Sequence, residues 1–71
     1  MTPAELKALV RTIPDFPKAG IQFRDITTLI GHGPGFAATI EWLARESSGA
    51  EAIAGMEARG FIFGAAVAAR L

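Results

Sequence analysis

Ala52-Ile53-Ala54-Gly55-Met56-Glu57-Ala58-Arg59-Gly60-Phe61 decides the fold class of this chain. Residues 52–56 are apolar on both faces, which suits a central strand of a parallel sheet covered by helices on each side. Charged and small residues follow at once, Glu57 to Gly60, and then a second apolar run. Residues 60–71 include Phe61, Ile62, Phe63, Ala65, Ala66, Val67, Ala68 and Ala69. That spacing predicts a helix apolar nearly all round, which must be buried. Strand, short turn and helix is where α/β proteins place ligands, outside the carboxyl end of the strand. The amino terminus of a helix presents N–H groups and a partial positive charge, which suits an anion. Arg59 adds a full charge at that mouth. The simpler alternative is a helix-start arginine paired with Glu57 on the surface.

Working outward, residues 36–46 predict a second helix. Phe36, Ile40, Leu43 and Ala44 line one face, and Trp42 lies off its centre. Glu41 and Arg45 stand four apart, the spacing of a small stabilising pair. Ser47-Ser48-Gly49 ends the helix, with Gly49 as a left-handed cap. Before it, Gly31-His32-Gly33-Pro34-Gly35 reads as a turn leading into that helix. Its glycines resemble a phosphate loop, but no Lys-Ser/Thr follows, so the mechanism of such a loop is missing.

The alternation of Ile21-Gln22-Phe23-Arg24 predicts a half-buried extended segment, continued weakly through Thr27-Thr28-Leu29-Ile30. Arg24 and Asp25 are placed to pair on the surface. Residues 13–20 carry two prolines and a glycine, so a loop is expected there, ordered by burial of Phe16. At the start, Thr2-Pro3-Ala4-Glu5 has the pattern of a capping box with proline at the first helical position. Leu6, Leu9, Val10 and Ile13 then form one apolar stripe, so the first helix is expected to run to Ile13 and stop at Pro14.

The composition narrows the possibilities. The chain has 71 residues, enough for one small domain at most. Seven basic and seven acidic residues cancel, leaving no electrostatic footprint for nucleic acid. No segment approaches the ~20 apolar residues of a membrane span. There is no cysteine, which fits the cytosol, and a lone His32 has too few companions for a metal site. The element order is that of an α/β fold with only one strong strand. Unpaired strand edges and an uncovered apolar helix make the chain look like a single domain, 1–71, cut in its middle.

Two blocks carry a family resemblance. Pro14-Asp15-Phe16-Pro17-Lys18-Ala19-Gly20-Ile21-Gln22-Phe23-Arg24-Asp25-Ile26-Thr27 resembles the adenine phosphoribosyltransferases, which are type I phosphoribosyltransferases. Ile53-Ala54-Gly55-Met56-Glu57-Ala58-Arg59-Gly60-Phe61-Ile62-Phe63-Gly64 resembles the same family at the matching distance. The resemblance implies the amino-terminal portion of that α/β fold, a parallel sheet flanked by helices, incomplete here. It implies a cytoplasmic, typically homodimeric enzyme of purine salvage that uses Mg2+ and forms AMP and diphosphate from adenine and 5-phosphoribosyl 1-diphosphate. By resemblance, Phe23 and Arg24 match the adenine-binding segment, and Ala58, Arg59 and Gly60 match the loop that holds the diphosphate. The turn at Glu57 is expected to have a strained backbone. Gln22 stands where the family often has an apolar residue.

The chemistry of these residues agrees. An aromatic face stacks on a purine, and a planar guanidinium grips phosphate oxygens bidentately. A glycine such as Gly60 admits close backbone approach. The family's acidic pair with a Thr-Gly-Gly-Thr-type loop has no counterpart in residues 1–71, nor does its flexible catalytic loop. No catalytic residue and no metal ligand is therefore assigned here. The alternatives are a non-catalytic purine-binding or dimerisation module derived from the same fold, and an enzyme for another purine base. Residues 1–71 by themselves are expected to be inactive and poorly folded, and an assay for AMP formation on the isolated stretch checks this: clear turnover would contradict it.

Overall fold

The computed structural model describes all residues, Met1–Leu71. They form two compact units, Met1–Phe36 and Ala37–Leu71.

The first unit opens with helix α1, Pro3–Leu9. The capping box forms as the sequence predicts: the Thr2 hydroxyl accepts from the Glu5 N–H at 3.2 Å, and the Thr2 N–H donates to Glu5 Oε1 at 2.8 Å. The helix does not reach Ile13. Val10 turns extended at the carboxyl cap, and strand β1 follows at Arg11–Ile13. The β-branched pair Thr12-Ile13 stands before Pro14, and both features disfavour helix. A partner strand completes the change: β2, Phe23–Asp25, pairs antiparallel with β1.

The loop between the strands is ordered, but not by burying Phe16, which is half exposed. Hydrogen bonds do that work. The Phe16 N–H donates to the Ile21 carbonyl at 3.0 Å, and the Gly20 N–H to Asp15 Oδ1 at 2.9 Å. The Phe16 ring also stands edge-on to Phe23, with centroids 5.4 Å apart. The Phe16-Pro17 peptide is cis.

Residues 27–30 are not extended. They form the short helix α2, Thr27–Ile30, started by hydrogen bonds to Asp25 described below. The long helix α3, Gly33–Glu46, then begins in the glycine-rich turn. His32 is exposed, and its Nδ1 accepts from the Gly35 N–H at 3.0 Å, in the manner of a helix cap. The unit's buried side chains are Leu6, Leu29 and the charged Asp25.

In the second unit α3 ends in a turn where Gly49 adopts φ +88°, the left-handed conformation expected of it. Ile40 and Ala44 are buried on the predicted face, while Trp42 and Leu43 are each 39% exposed. Glu41 does not settle on Arg45. It forms an ion pair with Arg70 of the last helix, α4, Arg59–Arg70, whose Nη2 lies 3.1 Å from Glu41 Oε2.

Residues 52–56 form no strand. A strand exists only where a neighbour accepts and donates its ladder bonds, and the single ladder in these residues is that of β1 and β2. Met56 is 86% exposed. Nor is α4 buried all round: Val67 is buried, but Phe61 is 56% and Ile62 46% exposed. The sheet formed by residues 1–71 is thus a two-stranded antiparallel one, and no parallel ladder is present.

What residues 52–56 do instead is lie against α4. A Cβ at Gly55 would run into the Gly60 carbonyl oxygen and stand 2.8 Å from its carbon. Gly64 is also close, since a Cβ there would be 3.3 Å from the Gly55 Cα. The close approach belongs to Gly55 more than to Gly60, which sits within the helix without a positive φ. Gly55→Ala is expected to destabilise the full-length gene product by roughly 1–3 kcal/mol, the usual cost of overpacking. Urea unfolding of the variant beside the parent protein measures it.

Candidate functional site

Two groups of residues answer to the sequence-based assignment, one in each unit. In the first, Phe23 and Arg24 are successive residues of β2, so their side chains leave opposite faces of the sheet. Phe23 is half-buried and faces Ile13 across the ladder. Arg24 is exposed and faces Thr12, and its guanidinium donates to the Thr12 hydroxyl. A small cavity of about 250 Å³ is lined by Lys7, Val10, Thr12 and Arg24. The aromatic ring and the guanidinium of this pair therefore serve different sides of the sheet.

Asp25 ends the strand, and it is buried at 7% exposure. It does not pair with Arg24. Its Oδ2 accepts from Arg11 Nη2 at 2.7 Å and from Arg11 Nε at 3.1 Å. Its Oδ1 accepts from the Thr27 N–H at 2.9 Å and the Thr27 hydroxyl at 2.6 Å. Across the same junction the Thr28 hydroxyl donates to the Leu9 carbonyl. Both carboxylate oxygens are thus satisfied, which is what keeps a buried charge tolerable.

In the second unit Ala58 is the cap residue of α4, with φ −107° and ψ −33°, and makes no side-chain capping hydrogen bond. Arg59 is the first helical residue and is exposed. Gly60 follows, half-buried against Gly55. The Glu57-Ala58 peptide is cis. An arginine at a helix amino terminus combines a charge with directed N–H donors, the chemistry an anion requires. Beside it runs an apolar groove of about 260 Å³, lined in part by Leu43, Ile53, Met56, Phe63 and Val67. No three histidine, cysteine or acidic residues gather where they would hold a metal ion. No helix is long and apolar enough to cross a membrane.

Sequence reasoning missed Asp25 and Gly55. The signal for the first was Asp25-Ile26-Thr27, the spacing at which an aspartate accepts from the backbone two residues on. For the second it was a glycine inside a strand-like run, which marks close backbone approach.

Thr27 binding holds the Asp25 carboxyl below its ordinary value, and Arg11 adds to this while burial opposes it. A folded value below the unfolded one means the ion stabilises the fold fully above the ordinary carboxylate pKa of about 3.9. That stabilisation is lost as pH falls through the folded value. Between about pH 5 and about pH 3 the urea midpoint of the full-length product should therefore fall more steeply than that of its Asp25→Asn variant. Parallel slopes would count against the role given to this carboxylate.

No protein-family model matches the chain. It is 70% identical to adenine phosphoribosyltransferase of Erythrobacter litoralis, an alignment that takes in 100% of this chain and 41% of that protein. It is 67% identical to the adenine phosphoribosyltransferase of Novosphingobium aromaticivorans, again over 100% of this chain and 41% of the relative. The crystal structure of adenine phosphoribosyltransferase from Thermoanaerobacter pseudethanolicus superposes with a TM-score of 0.87 at 48% identity, over 97% of this chain and 42% of that one. The Giardia lamblia enzyme complexed with 9-deazaadenine superposes with a TM-score of 0.86 at 34% identity, over 100% of this chain and 40% of that one. The chain spans about two-fifths of the length of the curated relatives it matches. Over its whole length it is thus similar to the amino-terminal two-fifths of proteins named adenine phosphoribosyltransferase, and its fold is the amino-terminal part of the type I phosphoribosyltransferase fold.

Proposed function

We propose that this chain supplies the purine-facing strand and the diphosphate-facing turn of an enzyme that makes AMP and diphosphate from adenine and 5-phosphoribosyl 1-diphosphate. The observation that carries the proposal is 70% identity over the whole chain to a protein of that name. The family's usual setting, a cytoplasmic homodimer, is part of the same proposal.

In the reaction, N9 of adenine bonds to C1 of the ribosyl group as the bond from C1 to diphosphate breaks, and the N9 proton leaves the ring. Positive charge builds at C1 and negative charge on the leaving diphosphate. Arg59 at the amino terminus of α4 meets that negative charge, with Ala58 and Gly60 forming the bed beneath it. Phe23 offers its ring to the purine face. Arg24 contributes through its peptide groups, because its guanidinium is engaged with Thr12 on the other side of the sheet. No residue among 1–71 is assigned as the base that takes the N9 proton.

Magnesium fits this chain only loosely. With no cluster of carboxylates or imidazoles, these residues build no cage for it. The ion would arrive on the diphosphate, where Mg2+ ordinarily keeps several waters and one or two carboxylates. No step assigned to these residues depends on it.

The test is steady-state AMP formation by the full-length gene product. Arg59→Ala is expected to lower kcat/KM by about a hundredfold or more, the scale of losing one transition-state donor. Arg59→Lys should recover only part of this, because an ammonium cannot reproduce the planar fork. Absence of AMP formation by the parent protein, or a wild-type rate in Arg59→Ala, would overturn the proposal.

A further inference from the structure

The strands β1 and β2 have three residues each and pair only with one another. A two-stranded ribbon of this kind is marginal in water. Its register nevertheless decides the site, because a slip of one residue would move Phe23 to the other face and bring Arg24 in its place. Something must hold the register, and the cross-strand partners identify it. Arg11 lies directly opposite Asp25, and Thr12 directly opposite Arg24; both pairs are joined side chain to side chain. The third pair, Ile13 and Phe23, is apolar.

The neighbouring registers are worse. A slip one way sets Arg11 against Arg24, two like charges directly opposite, which destabilises an antiparallel pair. A slip the other way sets Ile13 against Arg24 and takes Arg11 from its carboxylate. Asp25 does more than close this pair. Its second oxygen holds the Thr27 N–H and hydroxyl, which fixes where β2 stops and α2 begins.

We propose that Asp25, gripped by Arg11 and Thr27, is a positioning residue for the purine: it locks the register of β1 on β2 and so fixes the face on which Phe23 is presented. This rests on the proposed assignment of Phe23 to adenine. Asp25 itself touches no substrate and acts through the strand that carries Phe23. Arg11 is the other half of the lock, although its side chain is 62% exposed and would otherwise pass for a surface residue.

Steady-state kinetics of the full-length gene product test it, with adenine and 5-phosphoribosyl 1-diphosphate varied separately. Asp25→Asn and Arg11→Met are each expected to raise KM for adenine roughly tenfold, a modest share of what misplacement near an ångström costs. KM for 5-phosphoribosyl 1-diphosphate and kcat should stay within about twofold, the pattern of lost uniform binding. In a folded variant, a change that moves all three parameters together overturns the proposal. Arg11→Met removes an exposed head and keeps an apolar stem, so it decides the matter if Asp25→Asn fails to fold. Phe23→Ala is measured alongside. If it leaves KM for adenine unchanged, the assignment of Phe23 to adenine fails. If it raises KM while Arg11→Met and Asp25→Asn do not, the assignment stands and the positioning role fails.

Discussion

The first unit depends on one carboxylate. Asp25 is the buried charged side chain of the chain, and burying a charge is tolerable only when its lone pairs are filled. Arg11 fills one oxygen and Thr27 the other. Because those partners lie on different elements, satisfying the charge also joins them: β1 to β2, and β2 to α2. The apolar core of this unit is small. Leu6 and Leu29 are each 7% exposed, and no large side chain anywhere is fully buried. With so little apolar burial, directional polar contacts rather than core volume set the arrangement of the strand that carries Phe23 and Arg24.

The second unit rests on a different constraint, the absence of a side chain at Gly55. Residues 53–56 can lie on α4 only because Gly55 presents bare backbone to Gly60. That contact sets the path of the chain into the turn at Glu57 and Ala58, and hence the direction in which the first N–H groups of α4 emerge. Arg59 owes its place to this geometry. The ion pair of Glu41 with Arg70 ties the far end of the same helix to α3, and it lies in solvent, where such pairs add little. The groove beside the turn is apolar because Ile53, Phe63 and Val67 line it.

Much of this was legible in the sequence where local rules act alone. Thr2-Pro3-Ala4-Glu5 forms its capping box, Gly49 takes its left-handed turn, and α3 and α4 appear where the apolar spacing places them. What escaped were the features that long-range contacts decide. Ile13 continued the helical stripe of Leu6 and Leu9, yet pairing with β2 draws residues 11–13 into a strand. Thr27 to Ile30 looked extended, but Asp25 starts a helix there. Residues 52–56 had the composition of a central strand, and composition does not supply the neighbour that makes a strand. Glu41 had Arg45 at ideal spacing and chose Arg70, a residue on another helix. The two segments singled out for ligands were read from side-chain chemistry and family resemblance, whereas the elements that hold them in place were not.

The central proposal is a division of labour, with β2 assigned to the purine and the start of α4 to the diphosphate. Equilibrium titration of the full-length gene product with adenine and, separately, with inorganic diphosphate tests it without requiring turnover. Loss of one stacking ring is worth about 1–3 kcal/mol, and loss of one charge-assisted contact about as much. Phe23→Ala should therefore weaken adenine roughly tenfold and leave diphosphate unchanged, while Arg59→Ala does the reverse. Variants that weaken both ligands alike, or neither, would contradict the account.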